Sequence, residues 1–160
     1  MTQTQECCPE FDPKPWDKIT HQWDGRPFLF RTIPQIFHMP IPWMYRRVLK
    51  EMWERAQALG IATDRKEFLL LAYDPSPWKS ELYLAVTRVT DQPDIVALSG
   101  TYVSMVFDGP YSGVPGFISI MDGYLETMKK KSKKYFFYYT TCPACAKKLG
   151  HNYIVGVSEV

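Results

Sequence analysis

The stretch GTYVSMVFDGPYSGVPGF, residues 100–117, contains the change from strand to helix on which our prediction of the fold depends. Apolar and polar residues alternate over residues 101–107, which is typical of a strand with one buried face. Gly109 and Pro110 then predict a corner, because glycine adopts backbone angles barred to other residues and proline fixes φ. Six apolar residues follow at helical spacing, in a helix predicted to begin near Pro115: Val114, Phe117, Ile118, Met121, Leu125 and Met128.

The order strand, helix, strand, strand is predicted twice along the chain. In the first copy these elements fall at residues 27–38, 42–59, 68–73 and 81–89, with Gly60 ending the helix. In the second copy the final two strands fall at residues 135–140 and 152–157. We therefore predict an α+β fold of two tandem βαββ repeats in a pseudo-twofold arrangement, at about residues 27–89 and 100–160. Residues 1–26 are expected to form an N-terminal extension packed on this domain.

Each predicted repeat has one helix packed on one face of an antiparallel sheet. The other faces are bare, and we expect the two sheets to share a central groove between them. In residues 81–86, Glu81 and Tyr83 alternate with leucines that we assign to the helix side. In residues 101–107, Tyr102 and Ser104 alternate in the same way with apolar residues. These four side chains are therefore predicted to face the groove.

Composition is that of an ordinary globular domain. The chain has 160 residues, of which 46% are hydrophobic, and its formal net charge is +2. This charge is too small to indicate nucleic-acid binding, and neither a long apolar run nor a secretory signal pattern opens the chain. We expect a soluble, cytoplasmic protein that has no nucleic-acid or membrane partner. The sequence names no protein partner.

Two segments of the second repeat resemble the GyrI-like small-molecule-binding domain: GTYVSMVFDGPY at residues 100–111 and KKYFFYYTT at 133–141. The resemblance covers about residues 27–160. The segments CPEFDPKPWD at 8–17 and TTCPACAKKLGHNY at 140–153 are similar to a stand-alone subgroup of that family. No helix-turn-helix segment precedes the domain in this sequence, so the role of the family's transcription activators is not expected here.

The resemblance implies a groove that is lined by aromatic rings, holds one acidic residue and accepts flat, often cationic molecules. Some stand-alone relatives hydrolyse cyclopropane-bearing, DNA-alkylating compounds, and others are described as protecting DNA gyrase. Two functions therefore stay open. One is a binding module for detoxification or sensing, and the other is a hydrolase of electrophilic compounds.

Glu81 is the acid that the resemblance places in the groove, as a ligand partner and as the general base of the hydrolase version. The candidate ligand-binding rings are Trp43, Tyr73, Trp78, Tyr83, Tyr102, Phe137 and Tyr139. Aromatic faces stack on flat ligands and attract cations. For Glu81 the alternatives are an exposed strand glutamate or a salt-bridge partner. For the rings they are core packing or a loop lid.

The four cysteines lie in two close pairs, Cys7 with Cys8 and Cys142 with Cys145. The CxxC has the spacing of a zinc knuckle, so all four are candidate ligands of a structural zinc, with His151 as a substitute for one of them. Free or redox-active thiols and a disulfide are the alternatives. We place the CxxC in a loop between two strands, which disfavours a thiol-redox function because a thioredoxin-type CxxC opens a helix. The expected chemistry requires no cofactor.

Overall fold

The structure is a computed structural model that describes residues 11–140 and 143–160. In this part of the chain it is an α+β protein with strands β1 (Ile19–Ile36), β2 (Met39–Pro40), β3 (Leu70–Ser76), β4 (Lys79–Ala85), β5 (Ile95–Asp108), β6 (Lys134–Tyr139) and β7 (Tyr153–Glu159). The helices are α1 (Pro42–Ala58), α2 (Val114–Thr127) and α3 (Pro143–Leu149). No helix in these described ranges is both long enough and apolar enough to cross a membrane. The predicted fold class is confirmed.

The chain forms two compact units. Unit 1 comprises Met1–His21 and Thr101–Val160, and unit 2 comprises Gln22–Gly100. The strands of unit 2 are ordered β2-β1-β4-β3 and those of unit 1 are ordered β6-β7-β5, with antiparallel neighbours. Strand β2 and helix α3 are additions to the predicted order of elements. The tandem repeats and the groove between them stay a prediction.

The core of unit 2 lies between α1 and one face of its sheet. Helix α1 begins with Pro42 in its first turn, where a missing N–H costs no hydrogen bond. Its buried residues Val48, Met52 and Ala56 pack in one cluster with the leucines of β4, Leu82 and Leu84. The prediction that these leucines face the helix is confirmed, so Glu81 and Tyr83 lie on the opposite face.

The core of unit 1 lies between α2 and its sheet, where Met105, Phe107 and Met121 form a buried cluster that Phe117 extends. The rings of Phe107 and Phe117 stack with centroids 4.4 Å apart. Gly109 does not adopt a left-handed φ, so the predicted reason for a glycine at the corner is wrong. A Cβ at Gly109 would instead lie 3.2 Å from the Phe117 ring, and glycine is needed there for space.

Asn152 holds this corner in place. Its backbone N–H donates to Oδ1 of Asp108 at 2.9 Å, and its side-chain amide donates to the carbonyl of Gly109 at 2.8 Å. The Gly109 N–H returns a hydrogen bond to the Asn152 carbonyl at 3.1 Å. Asn152, which follows α3, therefore closes the strand-to-helix turn with three hydrogen bonds, of which it donates two and accepts one.

Several boundaries and one element differ from the sequence prediction. Strand β1 begins at Ile19 rather than residue 27. It runs through Pro27, whose carbonyl accepts a hydrogen bond from the N–H of Val86 although proline has no N–H to donate. Strand β3 runs on through Pro75 because a bulge follows Tyr73. The predicted loop between the last two strands contains helix α3, which includes Cys145, so the placement of this cysteine in a loop is wrong.

Candidate functional site

Glu81 lies at the centre of an aromatic sheet face in unit 2. In the antiparallel pairing, Thr32 is opposite Glu81 on β1 and Tyr73 is opposite it on β3. Phe30 is opposite Tyr83 in the same way. Directly paired residues point to the same side of a sheet. We call this surface the Glu81 face and define it by Phe28, Phe30, Thr32, Tyr73, Glu81 and Tyr83.

The hydroxyl of Tyr83 donates a hydrogen bond to Oε1 of Glu81 at 3.1 Å. The Tyr83 ring is 6% exposed and packs edge-on against Phe28 and tilted against Phe30, with centroids 6.3 and 5.1 Å away. Glu81 and Tyr73 are half-buried, and Thr32 is exposed. Tyr83 thus supports the carboxylate from within the structure, whereas Glu81 and Tyr73 are partly accessible.

A cation lies at one end of this face. The guanidinium of Arg26 lies 5.8 Å from the centroid of the Phe28 ring and 4.8 Å from that of Trp23. Burial lowers the pKa of Arg26, and the charge of Glu67 partly opposes this effect. The Glu81 face therefore has a positive group beside Phe28 and a negative group beside Tyr73.

The two predicted tryptophans lie on other elements. Trp43 is in the first turn of α1, is 64% exposed, and has the guanidinium of Arg47 5.9 Å from its ring. Trp78 lies between β3 and β4 and is 54% exposed. Its ring centroid is 4.7 Å from that of Phe37. Both rings are open to solvent.

The three predicted rings of unit 1 lie on two opposite sheet faces. Gly156 of β7 pairs with Met105 and with Phe137, and a Cβ on Gly156 would meet Met121 of α2. Phe137, and with it Tyr139, therefore lies on the helix face, whereas Tyr102 alternates with Met105 and lies on the other. The expectation that these rings share one surface is wrong, because β6 is aromatic at nearly every position and alternation cannot identify its faces.

Tyr102 is 2% exposed and its ring lies 6.3 Å from that of Phe136. Burial raises the pKa of Tyr102, and the charge of Glu159 adds to this effect. The hydroxyl of Ser104, on the same face, donates to the carbonyl of Trp16 at 2.6 Å. Nε2 of His21 lies 2.7 Å from the Ser104 hydroxyl oxygen. Since the single hydroxyl hydrogen is directed at Trp16, this serine and histidine hold the preceding segment and do not form an activated nucleophile.

Sequence reasoning missed a row of rings on the helix face of unit 1. Tyr135, Phe137 and Tyr139 follow one another with centroids 6.4 Å apart, and Tyr111 continues the row 5.4 Å from Tyr139. The hydroxyl of Tyr135 donates to Asp122, and burial together with this hydrogen bond raises the pKa of Tyr135 above its ordinary range. The spacing of two between Tyr135, Phe137 and Tyr139 on β6 was the sequence signal for a shared face. Tyr111 lies outside β6, so this spacing could not include it.

Cys7, Cys8 and Cys142 lie outside the described residues, and Cys145 is half-buried in α3. Within the described ranges, no group of three or more His, Cys, Asp or Glu side chains is arranged to hold a metal ion. The Nδ1 atom of His151 is buried and has no hydrogen-bond partner among the described residues. The His151 ring lies 4.3 Å from that of Tyr153. The zinc site stays a prediction.

A sequence model of the family described as bacterial hydrolase matches residues 1–160. The chain belongs to this family. Among solved structures it is similar to an uncharacterized conserved protein from Listeria innocua, with a TM-score of 0.60 and 14% identity over 90% of this chain and 92% of that chain. It is also similar to SAV2435 bound to tetraphenylphosphonium, with a TM-score of 0.43 and 12% identity over 89% of this chain and 92% of that chain. No curated protein matches the chain significantly.

The Listeria innocua structure supports the α+β architecture over most of both chains. At this level of identity the similarity extends to the fold alone. The GyrI-like resemblance and the assignment of ligand-binding residues stay predictions.

Proposed function

We propose that the chain binds a flat, hydrophobic, cationic small molecule against the Glu81 face, for detoxification or sensing. The observation that carries the proposal is the placement of the Glu81 carboxylate among the rings of Phe30, Tyr73 and Tyr83, with the Tyr83 hydroxyl hydrogen-bonded to it. The resemblance of the sequence to stand-alone GyrI-like domains, with their duplicated βαββ layout, supports the same function.

The residues of the Glu81 face suit such a ligand chemically. A flat ring system stacks on the half-buried Tyr73 and Phe30, and its positive group is attracted both by these ring faces and by the carboxylate. Arg26 repels a cation at the other end of the face, beside Phe28. The charged end of the ligand therefore lies against Glu81, and its apolar end lies on the half-buried Phe30.

A titration with a rhodamine-type cationic dye tests this proposal by fluorescence anisotropy. We expect Glu81→Gln to weaken binding about tenfold, because the amide keeps the shape and removes the charge. Tyr73→Ala removes a stacking surface and should also weaken binding. The matched control is Glu126→Gln, which removes an exposed carboxylate from α2 in unit 1. Equal affinities of wild type and Glu81→Gln would exclude the Glu81 face as the dye site.

Hydrolysis is the second candidate function, and the family match over residues 1–160 favours it. In this version Glu81 accepts a proton from water as the water oxygen attacks an electrophilic carbon, such as that of a strained cyclopropane. The breaking bond leaves its electron pair on the departing carbon, which takes a proton from the Tyr73 hydroxyl. A water molecule then returns the proton from Glu81 to Tyr73.

Incubation of a cyclopropane-bearing electrophile with sub-stoichiometric protein separates the two functions. A hydrolase produces many equivalents of hydrated product by mass spectrometry, and Glu81→Gln abolishes turnover while keeping much of the binding. A binding module protects its ligand stoichiometrically and yields no product beyond the protein-free control. The dye titration is independent of this result, so loss of the hydrolase version leaves the binding proposal standing.

We also propose that Cys7, Cys8, Cys142 and Cys145 bind a structural zinc, with His151 as a substitute for one of the adjacent pair. The chemistry of thiolates and imidazole suits zinc. The buried Nδ1 of His151, without a partner in the described part of the chain, fits a ligand role. The metal would supply folding energy rather than catalysis.

A further inference from the structure

Four large apolar side chains are exposed together at one end of the unit 2 sheet. Ile36, Phe37, Met39 and Trp78 are 54, 70, 70 and 54% exposed. The rings of Phe37 and Trp78 contact each other with centroids 4.7 Å apart. We call this set the apolar tip. Such a cluster of exposed apolar side chains indicates an interaction surface, whereas single exposed apolar residues are ordinary.

The backbone that presents Phe37 is strained. Strands β1 and β2 pair Ile36 with Met39, so Phe37 and His38 form a two-residue hairpin loop. Their φ angles are +47° and +64°, the left-handed conformation that such a turn requires and that Asn and Gly adopt most easily. A bulky aromatic residue is unfavourable at this position. Strain that a structure maintains at an exposed position points to a function of that position.

Hydrogen bonds fix the apolar tip to the neighbouring hairpin. The backbone N–H of His38 donates to the carbonyl of Pro77, and that of Gln35 donates to the carbonyl of Trp78, both at 2.9 Å. The side-chain amide of Gln35, which is buried, also donates to the carbonyls of Ser76 and Lys79. The two loops are therefore one rigid platform, so the apolar side chains are held outward before any partner binds.

The charge around the apolar tip is positive. Between Asp24 and Glu51 the sequence holds Lys and Arg but no Asp or Glu, although Arg31 and Arg47 form ion pairs with Glu51 and Lys50 forms one with Glu54. Arg46 on α1 and Lys79 next to Trp78 are exposed and belong to none of the ion pairs among the described residues, whereas the exposed Arg47 is paired with Glu51. The nearby carboxylate of Asp74 lies 3.3 Å from Nδ1 of His38, within hydrogen-bond distance. An anionic partner complements this surface.

We propose that the apolar tip docks the protein on an anionic lipid surface. Trp and Phe rings insert at the boundary between headgroups and acyl chains, and basic side chains around them bind anionic headgroups. The four side chains alone offer less than the roughly 800 Å² per partner that a stable protein interface buries, which disfavours a second copy of the chain as the occupant. This proposal replaces the expectation of no membrane partner, which rested on the lack of a long apolar run. The run IFHMPIPWM, residues 36–44, is too short for that criterion and suits a segment that lies on a membrane.

Co-sedimentation with vesicles tests the proposal, with vesicles of phosphatidylglycerol and phosphatidylcholine in equal parts against phosphatidylcholine alone. We expect the wild-type protein to pellet with the anionic vesicles only, and high salt to release it because it screens the headgroup charge. Phe37→Asn should reduce the partition coefficient by about tenfold, because it removes the inserting ring. Asn favours the left-handed φ of this turn, so the variant should fold at least as stably as wild type. The control Ile120→Asn removes a 56% exposed apolar side chain from α2 and should bind like wild type.

Three results would overturn the proposal. The wild-type protein does not pellet with anionic vesicles, or Phe37→Asn pellets as well as wild type does. In the third, sedimentation velocity without lipid finds a dimer that Phe37→Asn dissociates, which assigns the apolar tip to a second copy of the chain. A normal dye affinity of Phe37→Asn keeps this test separate from that of the Glu81 face.

Discussion

Two hydrogen-bonded carboxylates of unit 2 have different surroundings. The carboxylate of Asp94 accepts two hydrogen bonds from Arg55 in a bidentate ion pair. One comes from Nε and the other from Nη2, at 2.9 Å. These bonds lower the pKa of Asp94, with the hydrogen bond from Arg55 as the largest cause. Glu81 instead receives the neutral hydroxyl of Tyr83. The charge of Asp94 is thus neutralised by the protein, whereas in the proposed function the charge of Glu81 attracts the ligand.

Asp94→Asn should destabilise the protein at neutral pH, because it breaks the ion pair that ties α1 to the segment before β5. The folded-state pKa of Asp94 is lowered, so its contribution is fully present above the unfolded pKa and is lost as pH falls below about 4. Thermal unfolding should show a Tm difference between variant and wild type that is constant from pH 6 to 8 and shrinks in acid. A difference that grows in acid would contradict this assignment.

Two substitutions of Tyr83 measure separately what its hydrogen bond and its ring packing contribute to stability. Tyr83→Phe keeps the buried ring and removes the hydroxyl, so we expect a loss of about 1 kcal/mol in the free energy of unfolding. Tyr83→Ala leaves a cavity beside Phe28 and Phe30, and we expect a loss of about 3–5 kcal/mol. Urea denaturation followed by tryptophan fluorescence measures both. Equal losses for the two variants would show that the ring contributes nothing beyond its hydroxyl.

The sequence predicts the position of Glu81 better than its surroundings. Alternation with Leu82 and Leu84 was enough to place Glu81 and Tyr83 on one face, because the leucines have a clear preference for the core. Alternation does not reveal how deeply a side chain is covered. The nearly complete burial of Tyr83 depends on Phe28 and Phe30, which come from a strand about fifty residues earlier in the chain.

The first two helices end in the same hydrogen-bond motif with different residues. After α1, the N–H groups of Gly60 and Ile61 donate to the carbonyls of Gln57 and Ala56, with Gly60 at a φ of +69°. After α2, the N–H groups of Lys129 and Lys130 donate to Glu126 and Leu125, with Lys129 at a φ of +57°. This is the Schellman motif, whose left-handed residue is usually glycine.

Lys129→Gly should therefore stabilise the protein by about 1 kcal/mol, because glycine adopts the left-handed conformation without steric cost. Gly60→Ala is the reciprocal variant and should destabilise it by about the same amount. A Cβ at Gly60 meets no atom within 4 Å, so this loss reports backbone conformation alone. Denaturant unfolding of both variants measures the effect, and two shifts of the same sign would contradict it.

Gly156 sets how closely α2 approaches the sheet of unit 1. A Cβ there would lie 2.3 Å from Sδ of the fully buried Met121, with Met105 and Phe137 as its neighbours across β7. Gly156→Ala should destabilise the protein by about 1–3 kcal/mol through overpacking. Adding Met121→Ala should cost less in this background than in wild type, since the cavity accommodates the new methyl group. Strictly additive losses in a double-mutant cycle would contradict this contact.

Long elements with a periodic apolar pattern were predictable from the sequence, and short elements without a clear pattern were not. Helices α1 and α2 follow from apolar residues at helical spacing, and strand β4 follows from alternation. Helix α3 has only seven residues, too few to show a helical pattern of apolar residues beside the CxxC motif. Strand β2 has two residues and depends on the unusual turn at Phe37 and His38, whose residue types do not indicate a hairpin.

At the scale of the whole chain, the zinc proposal has a direct test. Protein purified without added metal should contain about one zinc per chain by elemental analysis, because a closed tetrahedral site retains its ion. Modification of the thiols should release the metal, and a chelator should lower Tm. The absence of metal, together with four titratable thiols in the native protein, would reject the site.

The composition of unit 1 from two separate stretches of chain affects the order of folding during synthesis. Unit 2 is continuous and has all its residues once Gly100 has left the ribosome. Residues up to His21 must wait for partners from Thr101–Val160, among them Ser104, to which Trp16 and His21 are hydrogen-bonded. Synthesis proceeds from the amino end, so the segment with Trp16 and His21 emerges before unit 2 but forms its native contacts after unit 2 has folded. A stalled nascent chain from which Gly100 has just emerged would therefore protect β4 from a protease and leave Trp16 open to cleavage.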